Sequence, residues 1–117
     1  MNLSEKQQKF TACIGKLILF SESNSYGLTF GDAFRDDRVH GSFGEKSSYS
    51  SKHSVHKIRL AVDFNLFIDG EWIKDGSHEA WTALGEYWES LHDAAKWGGR
   101  FEPNDSNHFS FSHWGAK

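Results

Sequence analysis

The chain has 117 residues, 38% apolar and 15% aromatic, which predicts one domain over residues 1–117 with a modest core and no length left for a separate binding module. A formal net charge of -3 gives no electrostatic ground for nucleic-acid binding, and a lone cysteine, Cys13, excludes an intrachain disulfide. No stretch reaches the roughly 18 apolar residues of a membrane span, and residues 1–9 lack the basic-then-apolar order of a secretory signal, so neither stable membrane association nor signal-led export is expected.

In chain order, Ser4 with Gln7 fits a capping box, and Phe10, Cys13, Ile14, Leu17 and Ile18 then recur at helical spacing. Cys13 on that stripe reads as a buried small hydrophobe. The helix is expected to end near residues 24–27, with Gly27 as its stop, followed by a short strand at 28–30 running toward Arg35. Residues 36–53 lose periodicity and fill with Gly and Ser, the mark of a long loop, here expected to wall a cleft. Residues 60–68 alternate cleanly: Leu60, Val62, Phe64, Leu66 and Ile68 on one face, Ala61, Asp63, Asn65 and Phe67 on the other. Asp69-Gly70 predicts a two-residue hairpin returning through 71–73. Ala80, Trp81, Leu84, Trp88 and Leu91 predict a second amphipathic helix over 77–92, with Gly85 permitting close packing. A final strand over 107–111 turns Phe109 and Phe111 one way and His108 and Ser110 the other.

These directions turn Asp63 and His108 away from the apolar side. Zinc takes imidazole nitrogen and carboxylate oxygen, and a catalytic site uses three protein ligands with one position left for water, so His56, Asp63 and His108 form a candidate ligand set. His56 lies an odd number of residues from Asp63, which requires a turn near 57–59 to bring both to one side. Asp105, in a turn before the last strand, is placed to work as a general acid/base off the metal, and Arg35 to stabilise an oxyanion or hold a substrate carboxylate. Plainer roles stand beside these: Asp105 as a turn cap and Arg35 paired with Asp32 or Asp36. Lys46, Lys52, Lys57 and Arg59 read as a solvated face. His40, His53, His78, His92 and His113 read as non-ligands; His53 is the strongest alternative among them, because its three-residue spacing to His56 would suit one metal on a helical turn. The acidic loop at 69–76 lacks the regular ligand spacing of a calcium site and reads as a plain hairpin.

Taken together, Ser54, His56, Ala61 and Asp63, then Trp97-Gly98-Gly99, then Asp105 and His108, resemble one family pattern. It is that of the zinc D-alanyl-D-alanine carboxypeptidases and L-alanyl-D-glutamate endopeptidases, in particular the small phage endolysin branch: Ser-x-His, Ala-x-Asp, and an acidic residue and a His separated by two residues. The resemblance implies one zinc ion held by His56, Asp63 and His108, acid/base work by Asp105, support from Arg35 and a substrate contact at Ser54. It implies an α+β fold, a small single domain whose central antiparallel sheet packs against helices, of the Hedgehog/D-Ala-D-Ala peptidase type. The implied activity is hydrolysis of the L-alanyl-D-glutamate bond in the peptide stem of bacterial peptidoglycan. The implied setting is a monomeric phage lysis enzyme that collects in the host cytoplasm and reaches the wall after the inner membrane is permeabilised. Trimming of terminal D-alanine, or a zinc-stabilised wall-binding module without catalysis, are the alternatives. Many members carry Gly where this chain has Arg59, and the acid/base is often Glu rather than Asp.

Overall fold

The computed structural model describes residues 1–31 and 55–117, the side chains of His56 and Lys57 excepted. Arg35, His40, His53, Ser54 and the predicted loop at 36–53 lie outside the described residues. Helix α1 spans Leu3–Ser23 and is capped by Asn2, two residues earlier than Ser4 suggests. Asn2 Oδ1 accepts the Glu5 N–H at 2.8 Å and Glu5 Oε1 accepts the Asn2 N–H at 3.1 Å, a complete reciprocal box that leaves Ser4 inside the first turn. The helix also stops earlier than Gly27. Asn24 closes it and Ser25 takes φ 60°, so Gly27 is already in a strand.

That strand, β1 (Tyr26–Phe30), pairs antiparallel with β2 (Ala61–Ile68), Tyr26 opposite Ile68 and Phe30 opposite Phe64. Asp69 at φ 53° and Gly70 at φ 78° form the predicted hairpin into β3, which is only Glu71–Trp72. Helix α2 is Glu79–Ser90, shorter at both ends than the periodicity suggests: His78 Nδ1 accepts the Ala80 N–H and caps its start, and Leu91, its N–H on the Trp88 carbonyl, closes its end. A short strand not foreseen from the sequence, β4 (Ala95–Trp97), leads into a 3-10 turn at Gly98–Arg100. Strand β5 (His108–Phe111) then completes the sheet order β1-β2-β5-β4, with β3 also on β2.

The two edges of β2 are used unequally. One edge carries β1. The other is divided: β5 occupies residues 61–63, β3 occupies residues 67–68, and between them the strand borders a cleft.

The core lies on one face of this sheet. Val62, Phe64 and Leu66 of β2 and Phe109 and Phe111 of β5 join Phe10, Cys13, Ile14 and Leu17 of α1 and Trp81, Leu84 and Trp88 of α2 in one buried cluster. Trp88 is its hub. It stands edge-on to Phe10 at 5.6 Å and to Phe109 at 6.1 Å, and its indole N–H donates to the carbonyls of Lys96 (3.0 Å) and Ser110 (3.2 Å). A Cβ on Gly85 would fall 2.0 Å from the Trp97 ring, so α2 approaches β4 as closely as it does only because that position lacks a side chain. The alternation read from residues 60–68 thus packs helices on one face and turns Asp63 to the other.

Candidate metal centre

Asp63 and His108 meet because the ladder makes them partners. They are opposite each other in the β2–β5 register, where side chains of facing residues share one side of the sheet. His108 Nδ1 lies 3.3 Å from Asp63 Oδ1 and 4.0 Å from Asp105 Oδ2. Side-chain exposure separates the three: His108 7%, Asp63 14%, Asp105 53%. One ligand atom from each lies within 4.8 Å of the other two, which makes Asp63, Asp105 and His108 a group that fits a metal ion. Two carboxylates and an imidazole this close favour a cation between them, and oxygen with imidazole nitrogen is a donor set that zinc accepts.

The turn before β5 is held from several sides. The Asp105 N–H donates to the Gly98 carbonyl at 2.8 Å, and the His108 N–H donates to the Asp105 carbonyl at 3.0 Å. Trp97, buried, sends its indole N–H to the Ser106 carbonyl at 2.7 Å, and Asn104 Nδ2 donates to the Gly99 carbonyl at 3.0 Å. A Cβ on Gly98 would sit 2.0 Å from the Asp105 carbonyl oxygen and 2.8 Å from the His108 Cβ. Trp97-Gly98-Gly99 is therefore a seat that fixes Asp105 and His108 together. The sequence marks this segment, but its function as a support is visible only in three dimensions.

The predicted turn before β2 is present. Residues Val55–Ile58 form a 3-10 turn, Arg59 follows at φ 57°, and the Leu60 N–H returns to the Val55 carbonyl at 2.9 Å. The left-handed conformation explains why glycine suits position 59. The Gln7 amide of α1 donates to the Ile58 carbonyl at 2.8 Å, and Lys6 Nζ donates to the Ser112 carbonyl at 2.6 Å, so α1 grips the chain at both ends of the site. The backbone of His56 lies in this turn; its side chain is outside the described residues, as are Arg35 and Ser54. Of the predicted site residues, the structure brings together Asp63, Asp105 and His108.

Two clefts border Asp105. One, of about 530 Å³, opens at the divided edge of β2 and is lined by Asn65, Trp72, Lys74, Trp81, Asp105 and Asn107 among others. The second, of about 700 Å³, runs past Arg100, Phe101, Pro103 and Lys117. Asn104 and Asp105 line both. In the acidic loop Asp75 Oδ1 accepts from the Ser77 hydroxyl (2.7 Å) and N–H (2.9 Å), and these bonds lower the pKa of its carboxyl.

A family model described as D-alanyl-D-alanine carboxypeptidase matches residues 48–111. Among solved structures the chain is similar to the Serratia marcescens L-Ala D-Glu endopeptidase ChiX, with a TM-score of 0.59 and 17% identity over 93% of this chain and 85% of that one. No curated protein matches the chain.

Proposed function

The chain belongs to the D-alanyl-D-alanine carboxypeptidase family of peptidases, and from that premise we propose that it is a zinc-dependent hydrolase of the peptide stem of bacterial peptidoglycan, cutting the L-alanyl-D-glutamate bond. The observation that carries this reading is the convergence of Asp63, Asp105 and His108 inside the matched segment. Asp63 and His108, the two less exposed members, would hold the ion together with His56, and a zinc ion there would supply a Lewis acid for the scissile carbonyl and for water. Asp105 is the exposed member and borders both clefts. Its carboxylate accepts a proton from the attacking water and delivers it to the leaving nitrogen, so that one carboxylate serves as base and then as acid. Arg35 is assigned to the oxyanion and Ser54 to substrate contact.

Cutting within a chain, rather than trimming its end, is supported by the shape of the surface. Two clefts that meet at Asn104 and Asp105 suit a substrate that extends beyond the scissile bond. The family description itself favours the second reading, a carboxypeptidase that releases terminal D-alanine. The resemblance to the small phage endolysins supports extending this reading to host-wall digestion during lysis. The test is a muropeptide digest read by mass spectrometry with and without a chelator. New L-alanine C-termini and D-glutamate N-termini, lost with chelator and restored by zinc, are expected. Free D-alanine in their place establishes the carboxypeptidase, and cleavage indifferent to chelation refutes the zinc mechanism.

A further inference from the structure

The cleft at the divided edge of β2 carries a feature that hydrolysis alone does not use. Asp63, Asn65 and Phe67 follow one another along one face of β2, and the register sets Trp72 opposite Phe67. The Ile73 N–H donates to the Leu66 carbonyl at 2.8 Å, which continues the pairing and brings Lys74 alongside Asn65. Lys74 is thus two strand residues from Asp63, about 7 Å along the sheet. Its Nζ lies 4.6 Å from the centroid of the Trp72 ring, and that ring is half exposed and stacked on Phe67. A lysine resting on an indole face keeps its ammonium in a defined place while leaving its donors toward solvent.

No carboxylate among the described residues forms an ion pair with Lys74. Asp75, its neighbour in sequence, is turned to Ser77. Among the described residues that line this cleft, Lys74 is the one cation and Asp105 the one anion. In a chain of net charge -3, a substrate bearing carboxylates meets repulsion from Asp105 unless a fixed positive charge offsets it. Asn65, Asn104 and Asn107 add amide groups to the same walls.

We propose that Lys74, braced by Trp72, is a specificity-determining subsite that binds a substrate carboxylate one or two residues from the scissile bond. This inference rests on the peptidase reading above. The subsite prefers stem peptides with free acidic side groups over stems whose carboxylates are amidated. One charge-assisted contact in a solvated cleft corresponds to about a tenfold change in KM.

The experiment uses a synthetic stem peptide with free carboxylates and the same peptide with them amidated, against the wild-type chain, Lys74→Gln and Lys74→Arg. Wild type is expected to favour the free-carboxylate peptide about tenfold in KM. In Lys74→Gln that preference falls to near one, and Lys74→Arg restores most of it. Calorimetric binding of both peptides, measured in the Asp105→Asn background, should show the same pattern without turnover. Equal KM for both peptides in wild type, or a preference that survives Lys74→Gln, overturns the subsite while leaving the peptidase reading intact. A wild-type chain that cleaves neither peptide refutes the peptidase reading, and calorimetry then decides the subsite: a preference abolished by Lys74→Gln supports it, and equal affinities overturn it. Lys74 is exposed, so circular dichroism of the variants serves as a check on folding.

Discussion

Replacing Gly98 with alanine tests whether the Trp97-Gly98-Gly99 seat sets the geometry of the centre. The added Cβ would lie 2.0 Å from the Asp105 carbonyl oxygen, where ordinary contact begins at 3.4 Å, so the turn must retreat by 3.4 − 2.0, about 1.4 Å. The second contact, 2.8 Å to the His108 Cβ, pushes against β5 as well. Overpacking of this kind costs about 1–3 kcal/mol of stability. A displacement near 1 Å of a reacting group costs on the order of a hundredfold in rate. Gly15→Ala is the matched control: the same methyl is added on α1, where nothing lies within 4 Å of the new carbon. That change should raise stability by about 0.5–1 kcal/mol, because glycine in a helix interior is costly. Urea denaturation and peptide hydrolysis of the two variants, measured side by side, give the comparison. A Gly98→Ala chain within about 0.5 kcal/mol of wild type and of equal activity would refute the account of the seat.

At Arg59, held at φ 57°, glycine should be neutral or stabilising and Arg59→Val should cost about 1–2 kcal/mol; equal melting temperatures for the two would contradict the left-handed assignment. Trp88→Phe removes the donor shared by the Lys96 and Ser110 carbonyls and should cost about 2–4 kcal/mol in denaturant titration, a loss under about 1 kcal/mol counting against Trp88 as hub. Burial first, and the charge of Lys6 second, hold His113 below its ordinary pKa. The unfolded chain therefore binds that proton more readily, and stability should fall as pH drops below about 6.5. Lys6→Met should raise the His113 pKa in an NMR titration, and an unchanged value would remove the Lys6 contribution. Zinc in excess should raise the melting temperature of the wild type but not of Asp63→Ala, and equal shifts in both would displace Asp63 from the centre.

The legible parts of this molecule are those where one local rule decides. Alternation through 61–68 placed Val62, Phe64 and Leu66 in the core and turned Asp63 from it; Asp69-Gly70 has the positive φ angles its hairpin needs. The turn required between His56 and Asp63 is there, with its left-handed residue. What eluded sequence reasoning depends on long-range partners. β4 has only three residues, too few for a period to register, and exists because β5 lies beside it. The helix start moved because Asn2 and Glu5 complete a reciprocal box across the first turn, while Ser4 lies within it and accepts from Gln8. Trp72 and Lys74 carry no motif; only the hairpin register brings them to the cleft beside Asp105.

The grip of α1 on the residues flanking the centre has a practical corollary. Gln7 and Lys6 belong to one helical turn, yet they fasten strands' ends that enter the sheet some fifty residues apart, at Ile58 and at Ser112. The amino-terminal helix is a buckle for the hydrolytic half of the molecule, although it lies before the matched segment and donates no group to the triad. Trimming away the helix alone would discard the fastening and retain every residue assigned to the chemistry, so an inert fragment would testify to lost alignment, not to a missing reagent.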